Sequence, residues 1–268
     1  MPGRPLAGYV ALAFGWSWGC WGLAIAAQGS VGGQVAYYAG GFGPALAGLA
    51  MTRALGRGVR PWLAGLFRWR VGVGPWAFAL LFPVALMALS SGIYALMGGR
   101  IDLSASLAGV PAFLPTLVLM ALIGGGNEEP GWRGFALPEL LRRMAPLPAT
   151  TLLGAIWAAW HLPLLLLNPA AATMPPAALG AMAATLFVSV TLHAFWYTWL
   201  LARGGSVLTC ILLHAGYNAT NATLVPVAPA EMEAAARGAL LWATTGALTL
   251  SVLALLAASR GRLGHPAR

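Results

Sequence analysis

The chain has 268 residues, of which 59% are hydrophobic and only 8% are charged. A soluble globular domain has about 25% charged residues, so this composition excludes a soluble fold and indicates an integral membrane protein. The net charge of +9 comes from arginines scattered between apolar stretches, which is not the clustered pattern of a nucleic-acid-binding protein.

Apolar windows are separated by clusters of Arg, Pro and Gly along the whole chain. A helix needs about 20 apolar residues to cross a bilayer, so the chain has room for about eight crossings. The windows predict spans over residues 7–28, 35–53, 75–97, 111–127, 149–167, 177–201, 206–224 and 238–258. The connections are too short for a soluble domain. We therefore predict an all-α polytopic membrane protein, one bundle over residues 1–268 with its motif-bearing core at 111–224.

The arginines are distributed unequally between alternate connections. All of them except Arg100 and Arg237 fall on one side of the predicted bundle. Because Arg-rich loops stay in the cytoplasm, both termini are predicted to be cytoplasmic. The apolar run after Arg4 resembles a retained signal anchor. The compact, lysine-free chain is typical of a prokaryotic protein, so we predict a prokaryotic cytoplasmic membrane protein.

The Arg-rich connection over residues 53–70 also contains Trp62, Phe67 and Trp69. Such a mixture fits an amphipathic stretch that lies in anionic headgroups. It fits a simple basic turn equally well. The sequence leaves both interpretations open.

Two of the six acidic residues, Glu128 and Glu129, are adjacent at the end of an apolar span. A carboxylate at membrane depth costs about 2 to 3 kcal/mol or more unless it is paired, so this placement indicates a function. Glycines at 124–126 and Pro130 predict a helix break, which requires that the backbone face protein or a water-filled cavity. If the chain is helical after Pro130, Glu129 and Arg133 stand at i and i+4 and can pair.

Three histidines, His161, His193 and His214, also lie in predicted spans. Asn218 follows His214 by four residues, so the two side chains share one helical face. A single intramembrane histidine is often only a hydrogen-bonded packing residue. The glutamates, His161 and the His214/Asn218 pair would be costly to bury apart and useful together, which favours one site. His193 matches no such group and is predicted to be a packing or pore residue.

Three segments, in this order, resemble the motifs of the CPBP family of CAAX-processing and bacteriocin-processing membrane endopeptidases, also called the Abi family. The family motifs are Glu-Glu-xxx-Arg, an aromatic residue four positions before His, and His-xxx-Asn. The matching segments are Glu128-Glu129-Pro-Gly-Trp-Arg133, Trp157-Ala-Ala-Trp-His161 and His214-Ala-Gly-Tyr-Asn218. Trp157 stands where phenylalanine is commoner in the family.

The resemblance implies an intramembrane endopeptidase. Glu128 with His161 would activate a water molecule, and His214 with Asn218 would stabilise the oxyanion. Glutamate and histidine are suitable proton acceptors, and His and Asn donors placed where charge develops are suitable for an oxyanion. Glu129 and Arg133 are expected to support the site as a pair.

Family members are often described as metalloproteases, so a zinc ion bound by Glu128, His161 and His214 stays open. The His-Glu-xx-His signature of one large zinc-peptidase class does not occur in the chain. The expected partners are membrane lipids and a hydrophobic, lipidated or prenylated CAAX-like peptide. No nucleic-acid partner is expected.

Two other functions are compatible with this pattern. A transporter or channel would use the same polar groups to bind a substrate or relay protons, but the chain has no recognisable internal repeat. A non-catalytic immunity or scaffold protein could share the fold. The intact set of motif residues argues against that second alternative.

Overall fold

The computed structural model describes residues 4–168, 171, 173–227 and 234–266, without the side chains of residue 4 and residues 234–237. Predictions that involve the side chains of Arg4, Arg237 and Arg268 therefore lie outside the described part. Within the described ranges the chain is helical and contains no β-strand, which confirms the all-α class.

The helices follow one another with short connections. They are α1 (Arg4–Ala26), α2 (Val31–Gly40), α3 (Gly43–Ala54), α4 (Val59–Leu66), α5 (Val73–Leu96), α6 (Leu103–Ile123), α7 (Glu129–Gly131), α8 (Leu137–Leu141), α9 (Pro146–His161), α10 (Pro176–Gly204), α11 (Val207–Thr223) and α12 (Ala234–Ser259). A 3₁₀ turn at Gly126–Glu128 precedes α7, a π-helical turn at Trp132–Ala136 joins α7 to α8, and a second 3₁₀ turn at Leu162–Leu167 follows α9.

Six segments of the described chain are long and apolar enough to cross a membrane, judged by length and composition alone. They are Pro5–Ala26, Val73–Leu96, Leu103–Leu141, Pro146–Leu167, Pro176–Gly204 and Gly238–Ser259. The other two predicted spans exist in modified form. The span at 35–53 is divided into α2 and α3 around Gly41, and the span at 206–224 is the 17-residue helix α11. The architecture agrees with about eight membrane segments.

Helix α6 begins earlier than the sequence analysis predicted. The predicted start at residue 111 is wrong, because the Asp102 side chain accepts a hydrogen bond from the Ser104 amide at 2.9 Å and caps the helix there. Pro111 and Pro115 lie inside the helix rather than before it. Prolines are tolerated in membrane helices when neighbouring groups satisfy the freed backbone carbonyls.

One face of α6 is apolar and exposed. Leu107, Val110, Leu114, Val118 and Leu122 are each between 53% and 70% exposed. Their spacing of three and four residues puts them on one stripe of the helix. The opposite side of α6 packs against α11, and α11 packs against α5. Elsewhere in the bundle, α9 packs against α10, and α1 packs against α2 and α3. An exposed aliphatic stripe of this length is suited to contact with lipid chains.

Arg-bearing connections lie at one end of the bundle. Glu139 is buried and forms ion pairs with Arg57, Arg142 and Arg143. The Ser206 hydroxyl donates to the Arg68 carbonyl at 2.6 Å. These contacts join three connections that the positive-inside analysis assigns to the same side. The cytoplasmic orientation of that end stays a prediction.

Small residues let α3 approach α1 closely. A Cβ atom at Gly43 would overlap the Ser17 hydroxyl and lie 2.8 Å from the Ala13 carbonyl oxygen. We predict that Gly43→Ala lowers the free energy of unfolding by about 1 to 3 kcal/mol, because neither neighbour can move without disturbing α1. A thermal melt of the detergent-solubilised protein measures the change.

Gly22→Ala is the matched control, since a Cβ atom at Gly22 in α1 would meet nothing within 4 Å. Its melting temperature should equal that of the wild type or exceed it slightly, as alanine favours helix. Equal melting temperatures for both variants would contradict the proposed close approach.

Candidate active site

A glycine hinge ends α6 and starts the site. Gly125 has a φ of +125°, which an L-residue with a side chain rarely adopts. A Cβ atom there would lie 2.5 Å from Nε2 of His214 and 2.7 Å from Nδ2 of Asn218. The predicted helix break is therefore present. The same distances place Nε2 of His214 and Nδ2 of Asn218 together beside the Gly125 backbone.

Trp157 bridges Glu128 and His161. Its indole Nε1 donates to Oε2 of Glu128 at 2.8 Å, and its backbone carbonyl accepts from Nδ1 of His161, also at 2.8 Å. A carbonyl oxygen can only accept, so Nδ1 of His161 carries the hydrogen. In the neutral ring the lone pair is then on Nε2. Glu128 and His161 are oriented by a single residue of α9.

Glu129 is the centre of a second, fully buried group. Its Oε1 accepts from a guanidinium nitrogen of Arg133 at 2.9 Å and from Nδ1 of His214 at 2.8 Å. Glu129 is 0% and Arg133 is 1% exposed. The Arg133 guanidinium also lies 4.2 Å from the ring centre of Trp157 and 4.0 Å from that of Tyr197. One carboxylate and two aromatic faces thus compensate the buried cation.

The predicted catalytic residues line one cavity of about 820 Å³. Glu128 reaches it from the turn before α7, His161 from the end of α9, and His214 and Asn218 from α11. Most of the remaining wall is aromatic or aliphatic. It includes Trp21, Tyr37, Met120, Ile123, Leu164, Leu165, Leu186 and Val190. A site of this size and apolar character is typical of ligand pockets.

Two further polar residues, His193 and Asn127, line the cavity. His193 donates from Nδ1 to the Ser189 carbonyl at 2.8 Å, and its buried Nε2 has no hydrogen-bond partner. Asn127 accepts from the Gly125 amide at 3.0 Å, and its buried Nδ2 also has no partner. Both side chains line the cavity, and the role of His193 as a packing or pore residue stays a prediction. Neither has a sequence signal beyond its polarity within an apolar region.

Metal binding has little support from the geometry. Among the described residues, no three His, Cys, Asp or Glu side chains come close enough together to hold a metal ion. Glu128, His161 and His214, the ligands considered above, are included in those residues. Their arrangement does not fit a three-ligand zinc site.

Residues 110–220 match the family model described as type II CAAX prenyl endopeptidase Rce1-like. Over that segment the chain is similar to this family. The Rce1-like segment contains all three motifs and supports the resemblance predicted from them. The chain is also similar to CAAX prenyl protease 2 of Methanococcus maripaludis, with 41% identity over 56 residues. This alignment spans 21% of the chain and 20% of that relative's length.

The two glutamates of the Rce1-like segment are predicted to differ in their effect on stability. Glu129→Ala leaves Arg133 and His214 without their shared carboxylate, so it should lower the free energy of unfolding by about 3 to 5 kcal/mol. Glu128→Gln keeps an oxygen that accepts the hydrogen bond from Trp157, so its free energy of unfolding should be within about 1 kcal/mol of the wild-type value. Thermal melts in detergent compare the two variants. A Glu129→Ala protein as stable as Glu128→Gln would contradict the structural role.

Proposed function

We propose that this protein is an intramembrane endopeptidase that hydrolyses a peptide bond in a prenylated, lipidated or otherwise hydrophobic CAAX-like peptide. The observation that carries the proposal is the convergence of Glu128, His161, His214 and Asn218 on one cavity with largely apolar walls. The Rce1-like match supports the same activity. We further propose that it acts in a prokaryotic cytoplasmic membrane with both termini in the cytoplasm.

Glu128 and His161 are the residues that activate water in this proposal. One oxygen of Glu128 is occupied by the Trp157 indole, which leaves Oε1 for a water molecule. The lone pair on Nε2 of His161 can accept the other hydrogen of that water. The water oxygen attacks the carbonyl carbon while its proton passes to Glu128. Glu128 then gives this proton to the leaving nitrogen as the C–N bond breaks.

His214 and Asn218 stabilise the oxyanion that forms on the carbonyl oxygen. His214 donates from Nδ1 to Glu129, so it can also donate from Nε2 when the ring is protonated. Because the Glu129 carboxylate already balances Arg133, the charge of that imidazolium is balanced by the oxyanion itself. Asn218 uses one hydrogen of Nδ2 for the Gly124 carbonyl at 2.6 Å and keeps the second for the oxyanion. Each such donor in a dry site contributes about 3 kcal/mol to catalysis.

The cavity walls favour a lipid-bearing substrate. A lipid chain would be buried against Trp21, Met120 and Leu186, with the scissile bond at the polar end of the cavity. Asn127 offers a free donor and His193 a free acceptor. These match the C=O and N–H groups of an extended peptide backbone, so we assign substrate positioning to both residues. The archaeal relative is named a CAAX prenyl protease, which supports the same substrate class here.

Loss of either half of the site should abolish cleavage without unfolding the protein. We predict that Glu128→Gln and His214→Ala each reduce kcat at least about a thousandfold, since water activation and oxyanion stabilisation are both required. A fluorogenic farnesylated CAAX peptide, incubated with the detergent-solubilised protein, provides the assay. Gel filtration and thermal melts establish that the variants are folded. Undiminished cleavage by both folded variants would remove the catalytic assignment.

The Trp157 indole N–H makes a separable contribution. Trp157→Phe installs the residue that is commoner in the family and removes the hydrogen bond to Glu128, while the backbone carbonyl still holds His161. We predict that kcat falls by about tenfold to a hundredfold with little change in KM, as expected for one hydrogen bond to a charged group. Trp160→Phe is the control, because its buried Nε1 has no hydrogen-bond partner. Equal kcat values for the two variants would contradict the role of the indole.

A further inference from the structure

The chain folds back on itself after α12. Arg260 and Leu263 adopt φ values of +50° and +48°, and Gly261 and Gly264 adopt +71° and +81°. Residues with a side chain rarely take such left-handed conformations unless the surrounding structure stabilises them. The Gly261 amide donates to the Leu256 carbonyl at 2.9 Å, which closes the helix end. We call residues 260–266 the C-terminal hook.

Leu263 anchors this hook. Its side chain is 0% exposed and belongs to the main hydrophobic core. A Cβ atom at Gly264 would lie 3.3 Å from Cβ of Ala202, so the hook packs directly on the end of α10. The left-handed turns and the buried leucine together bring Arg262 and His265 beside Arg203.

The hook and the ends of α10 and α12 line a second cavity, of about 510 Å³, which is open to the surface and exposes Arg203 and Arg262. Its polar wall contains Arg203, Arg262 and His265. Its apolar wall contains Trp196, Trp199, Leu255 and the alanines of the last turns of α12. The cavity lies at the Arg-rich end of the bundle, since the neighbouring Ser206 is bonded to the Arg68 carbonyl. It is separate from the catalytic cavity and shares no lining residue with it.

The two arginines lack an anion within the described protein. Each described carboxylate has other partners: Asp102 bonds Ser104, Glu128 bonds Trp157, Glu129 bonds Arg133 and His214, and Glu139 pairs with three arginines. No described carboxylate forms an ion pair with Arg203 or Arg262. Two guanidinium groups at one cavity attract a group with several negatively charged oxygens, and a phosphate has the matching geometry.

We propose that this cavity binds the headgroup of an anionic phospholipid. The phosphodiester would lie between Arg203 and Arg262, and the start of an acyl chain would lie against Trp196, Trp199 and Leu255. Tryptophans at headgroup level and basic pockets between membrane helices are the features that recognise such lipids. A free phosphate would use the arginines but leave the apolar wall in water, so the phospholipid fits the whole cavity better.

Native mass spectrometry of the full chain in neutral detergent tests the proposal. One molecule of phosphatidylglycerol should bind per protein chain, which is the one-to-one component. Phosphatidylcholine and inorganic phosphate should not bind in this ratio. In Arg203→Gln/Arg262→Gln the dissociation constant for phosphatidylglycerol should rise about tenfold to thirtyfold. Arg203→Lys/Arg262→Lys should recover part of the affinity, because it restores the charge without the forked geometry.

Arg53→Gln/Arg60→Gln is the matched control. It removes the same charge from exposed positions of the Arg-rich segment 53–70, and it should leave the one-to-one binding unchanged. An equal loss in this control would show general surface attraction and overturn the site. Equal wild-type binding of phosphatidylcholine, or equal binding of inorganic phosphate alone, would overturn it without any variant. The experiment does not depend on peptidase activity.

Discussion

The site depends on a single buried carboxylate. Glu129 accepts from Arg133 and His214 with the same oxygen. It thereby balances the Arg133 guanidinium, which would otherwise have no counter-ion in the protein interior. It also fixes which nitrogen of His214 faces the cavity. Because Arg133 lies between Trp157 and Tyr197, the same interaction ties the turn after α6 to α9, α10 and α11. The Glu129 carboxylate therefore both compensates charge and holds the four elements together, and its removal would cost about 3 to 5 kcal/mol.

Around this centre the protein separates two tasks. Glu128 faces the cavity, where its carboxylate can exchange a proton with water. Glu129 faces the protein interior, where it is bonded to Arg133 and His214. The largely apolar walls lower the local polarity around the proposed oxyanion donors, which strengthens their interactions. At the Arg-rich end of the bundle, Glu139 is a second buried carboxylate with arginine partners. The chain has only six acidic residues, in agreement with the free-energy cost of placing a carboxylate in a membrane.

Much of this was predictable from the sequence, because hydropathy reports membrane segments directly and three spaced motifs report the polar site. The i and i+4 spacing of Glu129 and Arg133 was sufficient to predict their pairing. The division of one predicted span at Gly41 was not predictable, since hydropathy does not distinguish one bent segment from two short helices. The ion pairs of Glu139, the position of His193 and the free amide of Asn127 depend on tertiary contacts between distant segments. Local spacing carries no information about such contacts.

The hinge at Gly124–Gly126 has a mechanical consequence. Glu128 follows α6 in the chain, yet its carboxylate is held by α9 through Trp157. The Gly124 carbonyl accepts from Asn218 of α11, and the Gly125 amide donates to the Asn127 side chain, so the glycine segment is itself fixed in place. The spacing of Glu128 and His161 is therefore set by contacts of the helix break with α9 and α11, and not by the length or tilt of the lipid-facing helix α6.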